Sequence, residues 1–384
     1  MEAYFDNSAT TRVLDSVKDI VVRTMTEDYG NPAAKHRRGM EAEQYIRAAR
    51  SEIAKTLKVL DKEILFTSGG SESNNLALIG GALANRRLGK HIISTGIEHP
   101  SVYRPLEYLA ELGYEVTFLP VDGDGHISLA QLRDTVREDT VLVSVMYVNN
   151  EVGAVEPIEE ISRVVREKNS RTIFHVDAIQ AYGKFVIRPK KQGIDLLSVS
   201  GHKIHGPKGV GFLYIRDGVK IKPMIYGGGQ QGDMRSGTEN VPGVAGLGVA
   251  AKEMYTGHEE KVAFLTGLKD YMTDRLSELE GVVINSKKGS QSAPQIVSAS
   301  FEGVRSEVLL HALEEKGIYV SSGSACSAHH PGISGTLKGI GLPPRLLDAT
   351  VRFSFGMFNT REEIDYCIGT LKELLPVLRR YRRG

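Results

Sequence analysis

Short apolar runs alternate with helix-like stretches through the first two thirds of the chain. Amphipathic stretches, such as residues 72–88 and 158–168, have the spacing of helices. The apolar runs that predict strands cover residues 64–66, 92–94, 116–119, 141–148, 173–176, 196–199 and 210–215. Strands that alternate with helices predict an α/β fold built on a mostly parallel sheet.

The pattern changes after about residue 243. A long helical stretch covers residues 243–280, and an amphipathic stretch covers residues 362–378. Between them, short strands are predicted at residues 282–285, 295–301, 319–322 and 351–355. This mixture predicts a smaller α+β domain. We therefore predict a large domain over residues 15–255 and a small domain formed by residues 1–14 and 256–384, which includes a loop at about 322–335.

Charge balance and cysteine content narrow the class of protein. The chain has 48 basic and 47 acidic residues, so no overall field attracts nucleic acid or a membrane. No apolar stretch approaches the roughly 20 residues that span a bilayer, and the first residues lack the pattern of a signal peptide. Two cysteines, Cys326 and Cys367, argue against a disulfide framework. We expect a cytoplasmic enzyme with no membrane or nucleic-acid partner.

Two predicted strands end in charged residues that suit cofactor chemistry. The run at 195–203 ends in an amine, Lys203, and the run at 172–177 ends in a carboxylate, Asp177, 26 residues earlier. That spacing is typical of neighbouring parallel strands joined by a crossover. A pyridoxal phosphate enzyme requires at least two such groups. One is a lysine that bonds to the cofactor aldehyde, and the other is a carboxylate that lies beside the pyridinium nitrogen. Taken alone, either charge is also typical of a solvated strand end.

A glycine-rich segment at residues 66–75 predicts a phosphate cradle. An apolar run gives way there to Gly69 and Gly70, which allow close backbone approach, and then to Ser71, which adds a hydroxyl. The same residues would also serve as a simple helix N-terminus. The segment lacks the lysine and the glycine spacing of the common nucleotide-binding loops, which argues against a nucleotide.

Cys326 lies in a run of small residues. Buried structural cysteines usually have bulky apolar neighbours, so this environment indicates a reactive thiol, and the glycines at 323, 332 and 335 predict a mobile loop. His329 and His330 raise zinc as an alternative, but a second cysteine and the usual ligand spacing are missing, so we predict no metal site. Cys367, on the last amphipathic stretch, is predicted to be a small core residue.

Ten motifs together resemble those of the cysteine desulfurases of the NifS/IscS type, in the class-V aminotransferase superfamily of fold type I pyridoxal phosphate enzymes. They run through nearly the whole chain in order. They are residues 6–11 (DNSATT), 29–32 (YGNP), 68–74 (SGGSESN), 98–99 (EH), 149–153 (NNEVG), 175–180 (HVDAIQ), 200–203 (SGHK), 235–238 (RSGT), 322–326 (SGSAC) and 351–354 (VRFS). The SGSAC form resembles the class that hands sulfur to protein acceptors.

The resemblance implies a reaction and its residues. L-Cysteine would become L-alanine with pyridoxal 5′-phosphate as cofactor, and Cys326 would carry the sulfur as a persulfide. Lys203 would form a Schiff base and move the α-proton, Asp177 would keep the pyridinium nitrogen protonated, and His99 would stack on the ring and assist proton transfer. The remaining implied contacts are Gly70, Ser71, Ser200 and His202 to the phosphate, Gln180 to the phenolate oxygen, and Asn150 and Arg352 to the substrate.

The resemblance also implies partners. Thr238 resembles the residue that reaches the phosphate of a neighbouring subunit, which implies a homodimer. The sulfur acceptor would be an iron–sulfur scaffold, a tRNA-thiolation enzyme or a carrier for cofactor thiolation. Two alternatives stay open at this point. One is another fold type I enzyme, a selenocysteine lyase or an aminotransferase, which would not need Cys326. The other is a non-catalytic assembly scaffold.

Overall fold

The computed structural model describes residues 1–289, 291–322 and 334–380. Cys326, His329 and His330 therefore lie outside the described residues, as does most of the predicted loop at about 322–335. The helices are α1 (Asp15–Thr26), α2 (Arg37–Leu57), α3 (Gly70–Asn75), α4 (Gly81–Ala84), α5 (Pro100–Glu111), α6 (Leu129–Thr135), α7 (Ile158–Lys168), α8 (Val241–Tyr255), α9 (His258–Ser277), α10 (Ser306–Glu314), α11 (Gly335–Gly339), α12 (Pro344–Leu347) and α13 (Arg361–Arg380). The strands are β1 (Ala3–Tyr4), β2 (Ile64–Thr67), β3 (His91–Thr95), β4 (Glu115–Leu119), β5 (Thr140–Met146), β6 (Ile173–Asp177), β7 (Leu196–Ser200), β8 (Gly211–Ile215), β9 (Val282–Ile284), β10 (Ile296–Phe301), β11 (Ile318–Tyr319), β12 (Ser321–Ser322) and β13 (Thr350–Ser354).

The larger sheet has the strand order β2-β8-β7-β6-β5-β3-β4. β8 runs antiparallel to β2 and to β7, and the other neighbouring strands are parallel. The predicted α/β class with a mostly parallel sheet is confirmed. Asp177 pairs with Ser198 across β6 and β7, so the spacing of 26 residues does mark neighbouring parallel strands. The carboxyl ends of these strands lie together at one edge of the sheet.

Helices cover both faces of this sheet. β5, β6 and β7 are buried along their whole length, which explains why they read as nearly continuous apolar runs rather than alternating ones. On one face, α2 packs closely on α8. A Cβ on Gly248 would lie only 2.6 Å from the Cα of Ala49, so this crossing requires a glycine.

The smaller sheet has the order β12-β13-β10-β9 and is antiparallel. Its core includes Phe301 and Phe353, together with Phe5 from the N-terminal segment. The N-terminal strand β1 pairs in parallel with β11, where Ala3 is opposite Ile318. The first residues of the chain therefore pack with residues beyond 280. The exact division into two domains stays a prediction.

The helical stretch predicted at residues 243–280 is two helices. α8 and α9 are separated around Gly257, which has a left-handed φ of +61° that other residues rarely adopt. Of the helices that the structure describes, none has the length and apolar character needed to cross a membrane.

Candidate active site

A pocket of about 270 Å³ lies at the carboxyl ends of β5, β6 and β7. The structure brings most of the predicted site residues to its wall. They are Gly70, Ser71, His99, Asn150, Asp177, Gln180, Ser200, His202, Lys203 and Arg352. Thr238 is not among the lining residues and is exposed, and Cys326 lies outside the described residues.

Lys203 closes a short 3₁₀ turn that follows β7 directly. Its Nζ donates to two carbonyls of the N-terminal segment, Ser8 O at 2.5 Å and Ala9 O at 2.6 Å. Gln180 Nε2 also donates to Ser8 O, at 3.0 Å. The backbone of residues 8–9 therefore holds the amine at the pocket, a contribution that the DNSATT motif did not reveal.

Asp177 ends β6 and is 2% exposed. Its Oδ1 accepts a hydrogen bond from Ile179 N at 3.0 Å, and its Oδ2 accepts one from Asn74 Nδ2 at 2.8 Å. Burial raises the pKa of this carboxyl, and the two hydrogen bonds oppose that shift. The carboxylate is thus held in one orientation at the pocket wall, where a cationic partner would favour its ionised form.

His99 is the N-cap residue of α5, and Pro100 follows it at the first helical position. Its Nδ1 accepts a hydrogen bond from Ser101 N at 3.1 Å and lies 2.8 Å from Ser101 Oγ. Desolvation lowers the pKa of His99, and the nearby Lys203 acts in the same direction, whereas Asp177 opposes it. The ring is therefore neutral near pH 7.

The other end of the pocket offers hydrogen-bond donors. Gly69 has a φ of +147°, and a Cβ on Gly70 would lie 2.2 Å from Ile179 Cδ1, so the chain turns here in a way that excludes side chains. Ser71 and Ser200 add hydroxyls. His202 lies beside them, and desolvation, followed by the charge of Lys203, lowers its pKa to about 4.

These groups fit a pyridoxal phosphate. Among the described residues that line the pocket, Asp177 is the one carboxylate and suits a ring nitrogen, and Lys203 suits an aldehyde. The hydroxyls and the close backbone at residues 70–71 suit a phosphate.

Arg352 lies in β13 and is 4% exposed, so its guanidinium is buried beside the pocket. Its Nη1 donates to Asn150 O at 2.8 Å, and its Nη2 donates to Asp6 Oδ1 at 2.7 Å. Its Nε is buried and has no hydrogen-bond partner. The guanidinium is oriented by these contacts and keeps a donor for an incoming acceptor.

Several residues at the site were not predicted from the sequence. Asn74 bonds to Asp177, and Ser101 bonds to His99. Lys184 is buried, its Nζ donates to the backbone O of Lys203 at 2.6 Å, and burial lowers its pKa to about 7. Its sequence signal is weak, a single lysine after Gly183 in an otherwise ordinary loop. Cys367 is buried in the core, as predicted, and burial raises the pKa of its thiol.

Comparison with known proteins gives consistent matches over nearly the full chain. The family profile described as Aminotransferase class-V matches residues 3–367. "Cysteine desulfurase IscS" of Dictyoglomus turgidum is 40% identical over 379 residues, which cover 98% of this chain and 95% of that protein. "Cysteine desulfurase IscS" of Methanosarcina thermophila is 42% identical over 376 residues, which cover 98% and 92%.

Solved structures agree with these relatives. A structure titled "NIFS-LIKE PROTEIN" has a TM-score of 0.93 and 39% sequence identity, and the match covers 98% of this chain and 100% of that one. A NifS-like protein from Rickettsia africae has a TM-score of 0.87 and 28% identity, with coverage of 98% and 100%.

Proposed function

Because the chain belongs to the class-V aminotransferase family and is a pyridoxal-phosphate-dependent cysteine desulfurase, we propose that Lys203, Asp177 and His99 divide its chemistry among them. The observation that carries this proposal is the shared pocket. One cavity of about 270 Å³ presents an amine, a buried carboxylate and a neutral imidazole from three different parts of the chain. The substrate is L-cysteine, and the sulfur passes to an acceptor.

The residues around the pocket would hold the cofactor and move one proton. When bound, pyridoxal phosphate supplies an aldehyde carbon that bonds to amines and a ring that withdraws electrons from the substrate α-carbon. Asp177 would hold a proton on the ring nitrogen, and Gln180 would bond the phenolate oxygen. Lys203 Nζ would take the α-proton of the substrate. The phosphate ligands would be Gly70, Ser71, Ser200 and His202.

Arg352 would bind the substrate carboxylate. Its unpaired Nε–H and a second N–H on the same side could bind two carboxylate oxygens, while Asn150 O and Asp6 keep the planar group in place. Asn150 lines the same pocket and would help to position the substrate.

Cys326 would accept the sulfur. Its thiolate would bond to the sulfur of the bound substrate while the carbon–sulfur bond breaks, and the carbon would gain a proton. The products would be L-alanine and a Cys326 persulfide, so the electron pair of the broken bond stays on the carbon. The outer sulfur would then pass to a protein, for which we propose an iron–sulfur scaffold or a tRNA- or cofactor-thiolation enzyme.

A homodimer would complete the site. Thr238 is exposed within its own chain, which is compatible with a role at the phosphate of a neighbouring subunit. Large apolar side chains are also exposed in the segment leading to it, including Tyr226 at 70%, and near α1, including Tyr29 at 69%. Exposed apolar groups of this kind favour a protein contact.

Mass spectrometry after incubation with L-cysteine and cofactor tests the role of Cys326. We expect a sulfur adduct on Cys326, and alanine and sulfide release in the presence of a reductant. Cys326→Ser should keep the bound cofactor but lose the adduct, because a hydroxyl is a far poorer nucleophile than a thiolate.

Cys367→Ala is the matched control, since that thiol is buried in the core, and it should form the adduct normally. Undiminished sulfur release by Cys326→Ser would show that the thiol has been misassigned. Transamination of L-cysteine without alanine release would favour the aminotransferase alternative.

A further inference from the structure

Hydrogen bonds connect His99 to Asp177 through two residues that have no assigned role. Ser101 Oγ lies 2.8 Å from His99 Nδ1, and Asn74 Nδ2 donates to the same Oγ at 2.9 Å. Asn74 Nδ2 also donates to Asp177 Oδ2 at 2.8 Å. Asn74 is fully buried, and its Nδ2 has a protein acceptor for each of its two hydrogens. The series Asp177, Asn74, Ser101 and His99 is therefore continuous.

The direction of these hydrogen bonds determines which ring nitrogen of His99 carries the hydrogen. An amide nitrogen can only donate, so Ser101 Oγ accepts from Asn74 and keeps its own hydrogen for His99 Nδ1. The backbone supports the same assignment independently, because Ser101 N–H also points at Nδ1, at 3.1 Å. A nitrogen that receives two donors carries no hydrogen of its own. In a neutral ring the hydrogen must then lie on Nε2.

We propose that Asn74 and Ser101 are positioning residues that lock His99 in the Nε2–H form and orient it relative to Asp177. The inference rests on the proposed function only for its catalytic consequence. With Nδ1 capped and Nε2 already protonated, a neutral His99 has no nitrogen left to accept a proton. It acts as a hydrogen-bond donor through Nε2, and the α-proton goes to Lys203 alone.

Protonation of His99 would also disturb the series. A hydrogen on Nδ1 would face both the Ser101 N–H and the Ser101 hydroxyl, so the helix cap would have to break and the hydroxyl would have to rotate. Burial of the ring opposes the same change. The bonds that orient the ring thus also keep it neutral.

Nitrogen NMR of the holoenzyme, with ¹⁵N in the histidine rings, tests this assignment directly. The His99 signals are identified by their loss in His99→Gln. We expect a hydrogen on Nε2 and a bare Nδ1 at pH 7. In Ser101→Ala the hydroxyl donor is lost, so a measurable fraction of the Nδ1–H form should appear. The value of kcat/KM for L-cysteine should fall about fivefold to tenfold, as expected for one lost hydrogen bond.

Two further variants separate positioning from folding. Ser101→Thr keeps a hydroxyl and should restore both the Nε2–H form and the rate to within about twofold. Thr117→Ala removes a hydroxyl 3.0 Å from Nε2 of His91, a histidine outside the pocket, and should alter the His91 signals and leave those of His99 unchanged.

A wild-type His99 with its hydrogen on Nδ1, or with both nitrogens protonated at pH 7, would overturn the proposal even if no variant folds. If Ser101→Ala keeps the full population of the Nε2–H form, Ser101 does not position His99. If the wild type shows the Nε2–H form but does not turn over L-cysteine, the proposed function fails and the ring assignment stands.

Discussion

Asp177 combines full burial with two hydrogen bonds from neutral groups, Ile179 N and Asn74 Nδ2. Nothing in that pair of donors carries a positive charge, so a protonated ring nitrogen is the partner that would favour the carboxylate most strongly. We therefore expect the charge of Asp177, more than its shape, to determine its contribution to the reaction.

Asp177→Asn tests this requirement. The amide keeps the size of the side chain, but it cannot stabilise a cationic ring nitrogen, so we expect kcat for L-cysteine to fall about a hundredfold or more while the fold is retained. Steady-state kinetics and circular dichroism give the two measurements. A rate within about threefold of the wild type would show that another group holds the proton.

Lys184 shows a second effect of burial at the residue scale. Desolvation lowers its pKa to about 7, whereas an unfolded chain would leave it near the ordinary value of 10.5. Between these values the unfolded state binds more protons than the folded state. The contribution of Lys184 to the free energy of unfolding therefore increases as the pH rises from about 7 to 10.5 and is constant outside that window.

Lys184→Met should remove this dependence. Its free energy of unfolding should rise less with pH than that of the wild type, by up to ~1.4 kcal/mol per pH unit in the window. Urea unfolding at several pH values between 7 and 10 measures the slope. Lys222→Met, at an exposed position, is the control and should keep the wild-type slope. Equal slopes for Lys184→Met and the wild type would mean that Lys184 is solvated in the folded protein.

Some of these site residues could be predicted from the sequence and others could not, for a physical reason. Lys203 and Asp177 follow apolar strands directly, so local pattern and spacing indicate that they meet. Asn74 contacts Ser101 and Asp177 across 27 and 103 residues, and such pairings depend on how α3 packs against its neighbours. Ser8 and Ala9 contribute carbonyl oxygens, which every residue has, so no side-chain motif identifies them.

At the scale of elements, the turn between β2 and α3 depends on a close approach. A Cβ at residue 70 would collide with Ile179 Cδ1, which follows β6 and lines the same pocket. The turn therefore packs directly against Ile179 in the wall of the pocket, and this contact leaves no room for a side chain at residue 70.

Gly70→Ala should lower both the stability of the protein and its affinity for pyridoxal phosphate. Relieving the 2.2 Å contact requires Ile179 or the turn to shift, which typically costs about 1–3 kcal/mol, and the shift would narrow the phosphate end of the pocket. Thermal unfolding of the apoprotein and equilibrium binding of pyridoxal phosphate measure the two effects. Gly267→Ala in α9, where a Cβ meets open space, should be neutral or slightly stabilising. Unchanged stability and affinity in Gly70→Ala would contradict the proposed cradle.

Element types were predictable where the apolar pattern was strong. β5 to β7 are rich in β-branched and apolar residues and were located to within a few residues. The break between α8 and α9 was missed because it depends on the backbone angle of Gly257, and the helical pattern continues on both sides. A single glycine does not reveal its φ in a sequence.

At the scale of the whole molecule, the proposed homodimer leads to a separate prediction. If Thr238 serves the neighbouring site, a mixture of Thr238→Ala and Lys203→Ala chains should form hybrids in which one site carries both defects and the other carries neither. We expect such mixtures to regain part of the cofactor binding and activity that each variant lacks. Sedimentation should give a dimer. A stable, fully active monomer would rule out the shared site.

The placement of the N-terminal segment has a consequence for the order in which the protein folds as it is synthesised. Residues 3–11 leave the ribosome before their partners, which include Ile318, Ser354 and His202, and the carbonyls that hold Lys203 belong to this segment. Asn7 N donates to Ser354 O, so Asn7 cannot form this bond until the 347 residues up to Ser354 have been made. Contacts between such distant parts of a chain form late in folding. The strands of the large sheet, which end at Ile215, are therefore available long before the pocket, which needs the strand that carries Arg352.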